Sequence, residues 1–95
     1  MADRRVTIGK IAGNYLAFGL TSPIDVPIPR GFVEIGSGDD ARTVLGYVSA
    51  LRGLRDRVRS AYPQDGITFV PSERGLTIDE QRVIRSLNDS KNGYG

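Results

Sequence analysis

Ninety-five residues amount to a single domain, and 39% hydrophobic with 25% charged residues is the balance of a globular chain rather than a disordered one. With no Cys, His or Trp there is no disulfide framework, thiol nucleophile, Ser-His-Asp triad or ordinary zinc site, so no enzymatic activity, cofactor or metal is expected. A net charge of +2 is too small to imply nucleic acid or an acidic membrane by itself, although 11 of the 13 cations are Arg, the residue suited to bidentate carboxylate or phosphate pairing.

Met1-Ala2-Asp3-Arg4-Arg5 leads into no apolar stretch of signal-peptide or membrane-span length, which predicts a cytoplasmic or virion location. Arg5 to Ala12 alternates with period two around Gly9, which reads as a bulge or a close backbone approach. Gly13-Asn14 supplies hairpin-turn residues, and Tyr15 to Leu20 reads as the return strand. Leu16, Phe18 and Leu20 share one face of it; Tyr15, Ala17 and Gly19 share the other. From Thr21 to Gly31, Pro23, Pro27 and Pro29 alternate with Ile24, Val26 and Ile28, which excludes a central strand. Two readings stand: a loop whose isoleucines cap the chain's own core, or an extended arm that lays Ile24, Val26 and Ile28 on a partner.

Phe32 to Ile35 reads as a short strand, and Gly36-Ser37-Gly38 ends it. Phe32-Val33-Glu34-Ile35-Gly36-Ser37-Gly38-Asp39 resembles the first motif of S-adenosylmethionine-dependent methyltransferases, in which a Gly-rich turn lets backbone approach the cofactor at a helix N-terminus. The resemblance covers eight residues, and too little chain follows for that family's seven-stranded sheet. A glycine-softened turn with acidic helix capping is the reading adopted. A long helix opens at Asp39-Asp40 and runs to about Tyr62, where Pro63 stops it. Its apolar arc spans half the circumference, and Val44, Tyr47, Leu51, Leu54, Val58 and Ala61 fit heptad a and d positions. That width exceeds one packed surface, so Tyr47, Leu51, Leu54 and Val58 are candidates for a partner interface. Arg52, Arg55 and Arg59 stripe the same helix as a candidate anion or nucleic-acid contact, with intrahelical pairing to Asp56 as the competing reading. Gly46 and Gly53, one heptad apart, signal close backbone packing or nothing at all.

After a turn at Gln64-Asp65-Gly66, Ile67 to Val70 reads as a strand. Thr77-Ile78-Asp79-Glu80 is a capping box opening a second helix to about Asn88. Leu76 to Arg85 resembles the opening helix of LuxR-type helix-turn-helix domains, but the residues that follow leave no room for that family's recognition helix. The expected fold is α+β: about four short strands, from an N-terminal hairpin and a β-α-β unit, packed on two helices. One domain over residues 1–89 carries a flexible tail at 90–95. Functionally the pattern predicts a non-enzymatic structural or protein-interaction subunit, homo-oligomeric or bound to another protein, with a bacteriophage virion or assembly component as the concrete form. The alternative is a nucleic-acid-binding accessory protein using the arginine stripe.

Overall fold

The computed structural model describes residues 3–28 and 41–92, with side chains over 3–28 and 48–89. In chain order the elements are β1 (Asp3–Ile11), β2 (Asn14–Phe18), β3 (Ile24–Pro27), α1 (Ala41–Ala61), β4 (Gly66–Pro71) and α2 (Ile78–Ser86), followed by a 3-10 helix over Leu87–Asn92. They make a small α+β fold, a four-stranded mixed sheet in the order β3-β2-β1-β4 with two helices. β1 pairs antiparallel with β2 and parallel with β4, while β2 pairs antiparallel with β3. β3 and β4 thus point the same way from opposite edges, and α1 connects them. The strand expected at Phe32–Ile35 and the helix entry at Asp39-Asp40 lie outside the described residues.

The hairpin turn is Ala12-Gly13, one residue before the expected Gly13-Asn14, because Ile11 pairs with Asn14. Both turn residues have positive φ, 52° and 82°, the pattern whose twist suits a two-residue hairpin. A turn at Gly13-Asn14 would slide Tyr15 to the tip. The observed register sets it opposite Lys10, within reach of α2. No bulge interrupts β1: the ladder runs through Gly9 opposite Leu16. Gly9 is a close approach instead, since a Cβ there would lie 3.3 Å from the Phe18 ring.

The proline-rich segment is an edge strand of the chain's own sheet. Ile28 N–H donates to the Gly13 carbonyl at 2.9 Å, so Ile24, Val26 and Ile28 turn their backbone groups toward β2. Pro23, Asp25 and Pro27 turn theirs away, and the two prolines therefore remove no ladder donor. The same alternation places Ile24, Val26 and Ile28 against the core. This corrects the arm reading: those three side chains cap the chain's own interior, and Arg57 Nη1 donates to the outward Asp25 carbonyl at 2.7 Å. At the other edge, Ser72 N–H bonds to the Ile8 carbonyl, which makes Ile67, Phe69 and Pro71 the outward positions of β4. The Asn88 side chain occupies Phe69 like a short neighbouring strand, accepting from its N–H at 2.7 Å and donating to its carbonyl at 2.9 Å.

Both helices pack on one face of the sheet. Val6, Ile8, Tyr15, Ala17 and Phe69 meet Leu51, Leu54, Val58, Ile84 and Leu87 in one buried cluster. Leu51, Leu54 and Val58 are each 0% exposed, so three of the four helix residues expected to meet a partner belong to this core instead; the side chain of Tyr47 lies outside the described residues. The apolar arc is wide because α1 serves β2, β3 and α2 together. Full burial is worth about 1.5–3 kcal/mol for each such side chain. Leu54→Asp therefore unfolds the chain rather than releasing a partner.

Two substitutions should stabilise it. Ala12 carries a Cβ in the left-handed region, at a cost of about 1 kcal/mol, and Ala12→Asn should recover roughly half or more of that. A Cβ at Gly53 would meet nothing within 4 Å, so Gly53→Ala should add about 1 kcal/mol of helix propensity. Urea unfolding checks both; a lowered midpoint for Gly53→Ala would mean its flank is packed.

Candidate functional site

The arginine stripe does not form a surface. Arg52 is exposed, but Arg55 is 2% exposed, its Nε donating to Asp56 Oδ1 at 3.0 Å. Arg59 is half-buried: Nη2 donates to the Leu87 carbonyl at 3.3 Å and the guanidinium lies 5.8 Å from the Phe69 ring centre. Burial, and then the neighbouring charge of Arg55, lower the Arg59 pKa below its ordinary value, while Asp56 opposes them. The three arginines thus occupy three environments, and a phosphate backbone would find one of them, Arg52, fully presented.

Polar chemistry concentrates instead around Glu80, which is 0% exposed. As N3 of α2 it completes the capping box: Thr77 N–H donates to Oε1 at 2.8 Å, and Thr77 Oγ1 accepts from Glu80 N–H at 3.1 Å. The carboxylate also takes both other partners the sheet offers. Lys10 Nζ donates to Oε1 at 2.9 Å and to Oε2 at 3.1 Å, and the Tyr15 hydroxyl donates to Oε2 at 2.5 Å. Burial alone would raise this pKa, but the donors from Tyr15, Thr77 and Lys10 outweigh it and hold the group below its ordinary value. Each oxygen has two donors, so the carboxylate is a clasp between β1, β2 and α2 rather than a general base. The capping box was legible in sequence; the contacts across 65 and 70 residues to Tyr15 and Lys10 have no local signal.

A second cluster ties the opposite end of the sheet. Arg4 Nε donates to Asp65 Oδ2 at 2.8 Å and its guanidinium stacks 4.0 Å over the Tyr62 ring, while Tyr62 Oη accepts from Thr21 N–H at 3.0 Å. Thr21's bonds to the phenol oxygen, and secondarily the charge of Arg4, hold the Tyr62 pKa below its usual value. Beside this cluster a cleft of about 540 Å³ opens along β4, lined among others by Asp3, Arg59, Tyr62, Ile67, Thr68 and Asn88.

The face of the sheet turned from the helices carries Arg5, Thr7, Gly9 and Ile11 of β1, Leu16 and Phe18 of β2, and Thr68 and Val70 of β4. None of the described helices covers it. Ile11 is 53% exposed and Phe18 38%, its ring lying over Gly9. The face buried in the core is the smaller one of β2, Tyr15 and Ala17, because Ala17 sits opposite Ile8 and Tyr15 opposite Lys10. A hollow beside Val70 is lined by Arg5, Arg74, Ser72 and Glu73. Compared with protein-family models, curated proteins and solved structures, the chain matches none.

Removing the clasp's charge should be costly. Glu80→Gln strands Lys10 and weakens three donors, with an expected loss of about 3 kcal/mol by urea unfolding. Because the folded pKa lies below the unfolded one, wild-type stability from this group is complete above the unfolded carboxylate value. It should fall as pH drops through the lower, folded value. That acid-dependent loss should be absent in Glu80→Gln; an identical acid profile would show that Glu80 is not its source.

Proposed function

We propose that this chain is a non-enzymatic interaction subunit that associates with a second copy of itself through the open face of its sheet. The observation that carries the reading is the one-sided packing: both helices lie on one face, and the other presents Ile11, Leu16, Phe18 and Val70. Contiguous apolar surface of this kind marks protein contacts in soluble chains. The charges around it favour a copy over a polyanion. Arg5 and Arg74 are interspersed with Asp3, Asp25 and Glu73, all five exposed, so no single-sign field forms. A mixed rim can pair with itself across a two-fold axis, whereas a basic one would repel its copy. The flat ring of Phe18 over Gly9 suits stacking of one sheet on another. Pro23, Pro27 and Asn88 occupy the sheet edges, which favours a closed face-to-face pair over edge-to-edge growth. A virion or assembly component is one setting for such a part. The burial of Arg55 favours the self-association reading over the nucleic-acid alternative, which would use Arg52, Arg55 and Arg59 together.

Sedimentation velocity at high micromolar concentration should give a dimer. Phe18→Asp and, independently, Ile11→Asp should give monomers with the wild-type far-UV circular dichroism spectrum. A wild-type chain that sediments as a monomer throughout that range overturns the reading.

A further inference from the structure

We propose that the cleft along β4 binds the C-terminal end of an extended peptide, which adds one main-chain rung at Ile67 and places its carboxylate on Arg59. The site borders the open face at Asp3 and Thr68, but its binding groups, Ile67 and Arg59, are not on that face, and neither reading depends on the other.

The argument starts from backbone direction. Ile67, Phe69 and Pro71 turn their backbone groups to the outer side of β4. Pro71 has no N–H, and both groups of Phe69 are held by Asn88 at 2.7 and 2.9 Å. Ile67 alone of the three offers an N–H and a carbonyl with no partner among the described residues, and it lines the cleft. An added strand can therefore form its rung at Ile67 but cannot continue past Asn88. A passing strand is excluded by that block; a chain end is not.

Which end fits is decided by charge. At the blocked end stands Arg59, held near the Phe69 ring, with one of its donors on the Leu87 carbonyl. Its Nε and Nη1 donors meet no acceptor among the described residues; they face different sides of the guanidinium, so a carboxylate oxygen takes one of them as a charge-assisted hydrogen bond. Half-burial beside Arg55 strengthens the demand for an anion there. The peptide would run parallel to β4, its C-terminus toward Phe69 and its preceding residues toward Asp3, whose carboxylate forms no ion pair among the described residues. Asp3 and Asp65 at that far end make an acidic side chain a poor guest there and a basic one a good guest, while Arg59 at the blocked end would repel an N-terminal ammonium.

The probe is the pentapeptide Lys-Thr-Val-Thr-Val, prepared with a free C-terminal carboxylate and as its carboxamide, titrated into nitrogen-labelled protein to millimolar concentration and followed by two-dimensional NMR. The free acid should shift the Ile67 amide and the Arg59 Nε resonance saturably. The carboxamide should bind about tenfold more weakly or worse, as expected for losing one charge-assisted contact. Arg59→Gln should erase the difference between the two peptides. Ile67→Pro, which removes an outward N–H and leaves the β1 ladder whole, should weaken both alike. Equal affinity for acid and carboxamide in the wild-type protein overturns the proposal, as does the absence of a saturable shift at Ile67. Shifts centred on Phe18 and Ile11 would place the peptide on the open face and overturn it as well.

Discussion

The fold depends on one property of extended backbone: each residue fixes at once where its side chain points and where its N–H and C=O point. In β3 the two alternations coincide. Ile24, Val26 and Ile28 turn side chains to the helices and backbone to β2, while Pro23 and Pro27 sit where a missing donor costs nothing. A sequence that is awkward for a central strand is therefore well suited to an edge. In β4 the same property aims Phe69 into the core while handing its peptide groups to Asn88. One-residue slippage of either strand would expose its apolar side chains and strand its polar groups together, so register is doubly enforced.

Apolar burial supplies the interior, but the Glu80 clasp determines how the second helix sits on it. α2 is nine residues long, too short to be stable alone, and it needs its first turn fixed. Thr77 fixes that turn from within, and Lys10 and Tyr15 fix it to the hairpin. A buried carboxylate with every oxygen occupied adds modestly to net stability compared with an apolar substitute, because desolvation consumes most of the gain. Its larger effect is selective. Only one placement of α2 satisfies all three donors, and others leave a charge in the core without partners.

Several elements could be read directly from the sequence because their signals are local. The capping box at Thr77 and Glu80, the stop imposed by Pro63 and the alternation of Val6 and Ile8 each depend on neighbours a few residues away. The hairpin turn lies one residue before the dipeptide the sequence suggests, because Ala12 gives no sign of positive φ, which here is imposed by the register that Tyr15 requires. The width of the helix arc is legible in the sequence, yet width alone does not tell a partner chain from the chain's own β3 and α2. Arg55 projects from the apolar arc in the sequence, which leaves a carboxylate or a phosphate as its partner; the fold buries it with its Nε on Asp56. The open face was hidden for a related reason: Leu16 and Phe18 are the more apolar side of β2, and cross-strand pairing gave the interior to Tyr15 and Ala17.

The parallel pairing of β1 with β4 carries a consequence for the order in which the chain assembles. Asp3 pairs with Gly66 and Ile8 with Pro71, so every rung of this ladder joins residues more than sixty positions apart. The hairpin of β1 and β2 closes over a two-residue turn and needs nothing else to begin. During synthesis the N-terminal strands can therefore pair long before β4 emerges, leaving the far side of β1 as an unfilled ladder in the interval. Val6 and Ile8 turn their peptide groups toward that vacant side, next to their own unburied side chains. The interval before β4 docks is thus the stage at which newly made copies of the chain can pair wrongly with one another, and arrival of β4 ends it by filling the one edge of β1 that the hairpin leaves open.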